Sequence, residues 1–345
     1  MRRIVLTLKP EGTCPFHVGA IQYVPDESFE NGFTLIFLHA MNLHKEIFEP
    51  MLRHLLKQTS GIQIREAWCI ENPNQGQSSR LNQKLLSTPK YRGHWTAAEY
   101  SRAVHTFLTS NVHGIDFATR KLIGLAHSGA APSLLLIQDE TPQIMFHGFV
   151  FLDPAILPSG KVSSRILCDL FGNWAKSKRH TWDSRATALK QLSTTAFKRW
   201  EPLGVQLFEN ALHPSADGSS VTLACSPMQE AAYYMSPQAD LIERPFEIFT
   251  QLTAADELPI HLIVCPNDEY KGKTSEMKHT QIALVNNMTK GSVQIIEGGH
   301  MVSLYRTVGH SVKDNEQFPQ TEPVLCSKAI VQVLEKLQFG AGARL

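Results

Sequence analysis

The chain alternates between short apolar runs and longer segments in which apolar positions recur every three or four residues. Residues 33–39 (FTLIFLH) form the first nearly unbroken run, and 121–127, 148–152 and 259–265 repeat it. Runs of this kind suit strands buried on both faces of a sheet. Residues 62–70 and 293–296 read as further strands. Between them, 45–58, 96–110, 274–286 and 327–337 carry helical spacing, with Ala98, Tyr100, Val104, Phe107 and Leu108 marking one face of the second, and Ile330, Val331, Leu334 and Leu337 one face of the last. Strands and helices in alternation predict an α/β fold built on a doubly wound, mostly parallel sheet. Ahead of them, 5–9 and 17–24 flank Pro10-Glu11-Gly12 and predict an antiparallel edge.

The alternation stops between 157 and 255. This stretch is helical in tendency, holds Trp174, Trp182 and Trp200, and is broken by the turn-rich His213-Pro214-Ser215-Ala216-Asp217-Gly218. The expected layout is therefore a core in two parts, 1–156 and 256–339, a helical cap or lid inserted at 157–255, and a flexible tail at 340–345.

Composition narrows the function classes. With 345 residues, 43% hydrophobic and 19% charged, the chain is long enough for one large buried core plus an insertion. Thirty-three basic against thirty-two acidic residues argue against a nucleic-acid binder that works through a global basic field. Locally, 161–200 holds nine Lys/Arg against two Asp, and Lys176, Lys178 and Arg179 form the candidate surface for an anionic substrate; solvated helix faces are the plainer reading. The apolar stretch Ile4-Val5-Leu6-Thr7-Leu8 meets Lys9 too early for a signal-peptide core, and no segment reaches the ~20 apolar residues of a transmembrane helix. Cys14, Cys69, Cys168, Cys225, Cys265 and Cys326 are scattered without a C-x-x-C pair and are expected as reduced core thiols. No metal or cofactor is expected.

The chemistry centres on 121–136 (KLIGLAHSGAAPSLLL), an apolar run, a cluster of small residues around Ser128, and a second apolar run. This reads as strand, sharp turn and helix, with the serine pushed outward. The pattern, Ala126-x-Ser128-x-Ala130, is small-x-Ser-x-small and not strict G-x-S-x-G; the same cluster would also suit tight helix packing. A serine hydroxyl needs an imidazole to take its proton and a carboxylate to orient that imidazole. Asp268, after the strand at 259–265, and His300, after Gly298-Gly299, supply them in the order serine, acid, histidine. Glu269 and Asp153 are the competing carboxylates. The developing oxyanion takes one backbone donor from Gly129 and one from the loop His39-Ala40-Met41, where Met41 is the candidate. His39 and His127 flank the site and are expected to shape it.

These landmarks, together with Asn72-Pro73-Asn74-Gln75-Gly76-Gln77-Ser78, resemble the α/β-hydrolase superfamily. More narrowly, Leu38 to Glu46, Asn72 to Ser78 and the cap segment from Phe197 to Tyr234 are similar to fungal toxin-biosynthesis hydrolases and their peroxisomal lipase-like relatives. Two departures stand out. Ala40 replaces a common glycine, and the outer elbow glycines are alanines. The resemblance implies a serine esterase, thioesterase or lipase acting on an ester or thioester of a medium or long acyl or polyketide chain, in secondary metabolism, with an acyl-CoA as one expected substrate. An acyltransferase or cyclase using the same pocket, or a non-catalytic binding protein on this fold, are the alternatives. Ala343-Arg344-Leu345 resembles a peroxisomal address, which implies the peroxisomal import receptor as partner and a peroxisomal location, with the cytoplasm as alternative.

Overall fold

A computed structural model of the chain describes residues 1–57, 61–195, 198, 200, 202–215, 217–237, 239–265, 274–296, 320 and 322–340. Asp268, Glu269, Gly298, Gly299 and His300, with Ala216, Phe197 and the Ala343-Arg344-Leu345 tail, lie outside the described residues.

The strands are β1 (Arg2–Leu8), β2 (Val18–Val24), β3 (Phe33–Leu38), β4 (Ile64–Ile70), β5 (Lys121–His127), β6 (Phe146–Leu152), β7 (Thr181–Trp182), β8 (Leu212–Pro214), β9 (Val221–Leu223), β10 (Ile260–Val264) and β11 (Ser292–Ile295). The helices are α1 (Glu49–Leu55), α2 (Gly76–Leu86), α3 (Ala97–Thr109), α4 (Ala131–Leu136), α5 (Val162–Ser177), α6 (Arg185–Thr194), α7 (Pro202–Leu207), α8 (Pro227–Tyr234), α9 (Arg244–Ala255), α10 (Ser275–Asn286) and α11 (Pro323–Phe339). Among the described residues eight strands form the main sheet, in the order β1-β2-β4-β3-β5-β6-β10-β11. β1 pairs antiparallel with β2, and β2 antiparallel with β4, so the expected antiparallel edge is present. All other neighbours in this sheet run parallel.

The unbroken apolar runs have a direct cause. Along β5, Leu122 and Ala126 enter one buried cluster while Ile123 and Leu125 enter the other, so both faces of the strand need apolar side chains. One face packs Trp68, Phe107 and Phe117 beneath α3, and Leu134 and Phe249 from α4 and α9. The opposite face packs Met51, Leu52 and Leu55 of α1 against Ile330, Val333 and Leu334 of α11.

Three local expectations need correction. The helix expected over 45–58 is a 3₁₀ turn (Lys45–Phe48) followed by α1, whose first turn holds Pro50, a residue that opens helices because it has no N–H to satisfy. The stretch 71–78 (ENPNQGQS), rich in turn formers and so expected as a loop, is a shorter loop, since Gly76 already begins α2. The region expected to be helical between β6 and β10 also carries a small antiparallel sheet, β7-β9-β8, whose strands of two or three residues are too short to show a period. Of the turn-rich break at 213–218, His213 and Pro214 close β8, and β9 follows at Val221. All six cysteines are buried thiols outside any disulfide. Among the described residues no helix is long and apolar enough to cross a membrane.

Candidate active site

The parallel strands change winding direction at β3, which lies between β4 on one side and β5 on the other. At such a switch point the loops leaving two neighbouring strands diverge to opposite faces and leave a crevice at the strands' carboxyl ends. The loop His39-Ala40-Met41-Asn42 leaves β3 here, and Ser128 leaves β5.

Ser128 has φ +50°, in the left-handed region. For a residue with a Cβ this costs roughly 1–2 kcal/mol, and such strain concentrates at functional turns. A 3₁₀ turn (Ser128–Ala130) then feeds α4, which carries Pro132 in its first turn. From residue 122 to residue 137 every residue is buried except Ser128. The sharp turn thus lifts one hydroxyl-bearing side chain out of an otherwise closed segment. The Ser128 carbonyl accepts the N–H of Ala155 (3.0 Å), which ties the turn to the loop after β6.

Met41 and Gly129, read as the two oxyanion donors, are brought together: a Cβ on Gly129 would stand 3.2 Å from Met41 Cγ. The ring of Tyr233, on α8, lies on the same glycine, and its hydroxyl donates to the Gly129 carbonyl. Burial pushes the Tyr233 hydroxyl well above its ordinary pKa and keeps it a donor. Nothing in the sequence pointed to Tyr233, which is 104 positions away from its partner. The alanines at the elbow are fully buried in the core. The close approach falls instead on Gly124, where a Cβ would meet Phe149 at 2.8 Å and Leu134 at 3.0 Å. A glycine inside an apolar strand is the available signal, since it marks where another element comes close.

His39 is fully buried, and burial lowers its pKa to about 3. Its Nε2 accepts the N–H of Asn72 (3.1 Å), so Nδ1 carries the proton that faces the Ala40 carbonyl (3.0 Å). Such a ring is a neutral structural link. The His39 backbone N–H donates to the Tyr100 hydroxyl (3.3 Å), which in turn donates to the Ile70 carbonyl (2.7 Å). His127 is buried at the end of β5.

Asp153 follows β6, the strand beside β5, and is buried with φ +42°. Its carboxylate accepts the Cys265 N–H (3.4 Å) and pairs with Lys278 (3.2 Å), while Lys278 also donates to the Cys265 carbonyl (2.8 Å). Gln281 holds the following loop by donating to the carbonyls of Pro154 (3.1 Å) and Ile156 (2.8 Å).

The expected basic surface is not continuous. Lys178 is buried and paired with Glu230, because α8 packs its carboxylate against the end of α5. Arg179 lies over the Trp182 ring (5.8 Å), and Lys161 and Arg185 meet Glu276 (3.1 Å) and Glu209 (3.9 Å). The acids that offset this segment come from elsewhere in the chain. Among the described residues, no three His, Cys, Asp or Glu side chains are grouped as a metal site would need.

No family model matches the chain. Two curated relatives are the type I acyl-CoA thioesterase mpaH′ of Penicillium brevicompactum, 29% identical over 153 residues, and mpaH of Penicillium roqueforti, 26% identical over 201 residues. These matches cover 44% and 57% of this chain, and the chain spans only 33% and 43% of those relatives' length. Among solved structures, the peroxisomal alpha-beta-hydrolase Lpx1 of Saccharomyces cerevisiae aligns over 100% of this chain and 91% of its own, with a TM-score of 0.69 and 14% identity. A thioesterase domain from the curacin biosynthetic pathway aligns over 97% of this chain and 99% of its own, with a TM-score of 0.62 and 10% identity.

Proposed function

We propose that this chain, which has the α/β-hydrolase fold, is a serine hydrolase that cleaves an acyl thioester or ester. The observation that carries the reading is Ser128, the single unburied side chain in its segment, held at φ +50° where β5 turns into α4 with Gly129 against Met41. In the proposed reaction Ser128 Oγ attacks the acyl carbonyl while His300 takes its proton and Asp268 orients His300. The Met41 and Gly129 amides hold the oxyanion. The leaving thiol or alcohol departs with the proton from His300, and water then releases the acid by the same steps in reverse. Each oxyanion donor is worth roughly 100- to 1000-fold in turnover.

A thioester substrate, with an acyl-CoA as the first candidate, is supported by the names of the Penicillium relatives. Burial of Lys178 against Glu230 and the pairing of Lys161 and Arg185 with Glu276 and Glu209 weaken the case for CoA recognition by a basic patch at 161–185. The proposal places the enzyme in fungal secondary metabolism and in the peroxisome. Its support is the fungal origin and acyl-CoA names of those relatives and the peroxisomal name of the yeast neighbour. It also treats the segment between β6 and β10 as a cap over the serine, supported by the Tyr233 contact with Gly129.

One observation favours a second reading of the acid. Asp153 is buried, left-handed and one strand from Ser128, and Ala155, two residues on, hydrogen bonds the Ser128 carbonyl. In that reading Asp153 takes the orienting role and Asp268 does not.

The test is covalent labelling by a fluorophosphonate together with release of free thiol from a medium-chain acyl-CoA. Both are expected in the wild-type chain and absent in Ser128→Ala. Labelling that persists in that variant overturns the assignment. Product analysis with an added alcohol or amine separates hydrolysis from acyl transfer.

A further inference from the structure

We propose that the buried ion pair Lys45–Glu71 is a positioning device that sets the loop carrying Met41, and with it the oxyanion hole. The inference rests on the hydrolase reading above and adds to it residues that never touch substrate.

β3 and β4 are parallel neighbours whose ends are in register, Leu38 beside Ile70, so the loops that leave them run side by side. Two ties join those loops on either side of Met41. On the near side, the Asn72 N–H donates to His39 Nε2 (3.1 Å) and Asn72 Nδ2 approaches Met41 Sδ (3.7 Å). On the far side, Lys45 Nζ stands 3.1 Å from both Glu71 carboxylate oxygens and 3.0 Å from Glu46 Oε1. Between the two ties the backbone turns through Asn42 at φ +65°, a left-handed conformation that asparagine tolerates better than most residues with a Cβ.

The Glu71 side of this tie is tightly specified. Its Oε2 also accepts the N–H and the hydroxyl of Ser78, both at 2.8 Å. Gly19 and Gly76 leave the room it needs. A Cβ at Gly76 would fall 2.0 Å from Glu71 Oε1, and one at Gly19 would fall 3.1 Å from Oε2 and 2.9 Å from Ser78 Oγ. Both Lys45 and Glu71 have no exposed side-chain surface. A pair at this depth is a poor source of net stability, because desolvating two charges offsets most of their attraction. What it supplies is geometry. A lysine anchored at three oxygens cannot slide, and Met41 is four positions from it.

The test compares Glu71→Gln with Gly19→Ala, which touches no charge and presses on the same carboxylate from β2. The measurements are kcat and KM on p-nitrophenyl butyrate, affinity for a trifluoromethyl ketone that forms an oxyanion adduct, and thermal stability. If the pair positions the hole, Glu71→Gln lowers kcat by ~10- to 100-fold with KM within about twofold, and weakens the ketone by a similar factor. Gly19→Ala shows the same pattern at roughly threefold. A folded Glu71→Gln chain with wild-type kcat overturns the inference, as does a loss of kcat without loss of ketone affinity. Should Glu71→Gln not fold, the Gly19→Ala result decides by the same two criteria. Fluorophosphonate labelling of the wild type separates the layers: its absence removes the hydrolase reading, whereas labelling in every variant with unchanged kcat removes only the positioning role.

Discussion

Gly129 and Met41 meet across the crevice between β5 and β3, with 3.2 Å between the Cβ position of one and Cγ of the other. Bulk added at Gly129 must therefore displace Met41. Gly129→Val would drive branched atoms into Met41 and the Tyr233 ring, and is expected to cut kcat by ~100-fold or more as the donor pair separates. Met41→Leu keeps the backbone donor and roughly the same volume, and is expected to stay within about tenfold of wild type. Steady-state kinetics on one short ester checks both. Equal losses in the two variants would place the oxyanion donors elsewhere.

The strain at Ser128 predicts a trade between stability and activity. Glycine occupies φ +50° freely, whereas alanine bears the left-handed cost that serine bears. Ser128→Gly should therefore be about 1 kcal/mol more stable than Ser128→Ala, with both inactive. Chemical denaturation of the two variants measures the difference. An unstrained turn would make the glycine variant the weaker one.

The acid of the triad is decided by a pair of amide substitutions. Asp268→Asn is expected to lower kcat by ~10⁴-fold at unchanged stability, since the amide leaves the histidine in the wrong tautomer. Asp153→Asn removes a buried carboxylate that pairs with Lys278 and accepts the Cys265 N–H, and is expected to lower stability in chemical denaturation. A folded Asp153→Asn chain with a ~10⁴-fold loss, beside an active Asp268→Asn chain, would transfer the orienting role to Asp153.

Two buried histidines predict early acid sensitivity. Burial lowers His39 to about 3 and His261 to about 4. Both are then neutral in the folded chain, while the unfolded chain protonates them near pH 6.5. Their contribution to stability is complete above that pH and is lost as pH falls from about 6.5 toward 4, at up to ~1.4 kcal/mol per pH unit for each. The ring of His261 faces Ser292 Oγ (2.8 Å), so His261→Gln keeps a polar partner there. It should make the loss between pH 6 and 4.5 shallower by about one proton in denaturant titrations. An unchanged slope would mean that His261 titrates normally in the folded chain.

Much of the sheet was legible because a strand buried on both faces must be apolar over most of its length, and β3, β5, β6 and β10 are, with Thr34, Lys121, His127, His147 and His261 as their polar positions. The turn at Ser128 was legible for a related reason, since small residues around a serine between two apolar runs suit a tight turn, although the same cluster would also suit helix packing. Periodicity could not show β7, β8 and β9, whose two or three residues hold no full repeat. Net local charge misled at Lys178, because its partner Glu230 lies 52 positions away. Asp268 and His300 rest on sequence order alone.

The chain by itself determined the alternation of strand and helix and the one turn that lifts Ser128 out of a closed segment, because both follow from the period and size of neighbouring side chains. Only the tertiary structure decided that Met41 faces Gly129, that Tyr233 closes on the same glycine, and that Lys45 reaches Glu71. Each of those contacts joins separate elements, and a contact of that kind is set by how strands are ordered in the sheet, which no local pattern records.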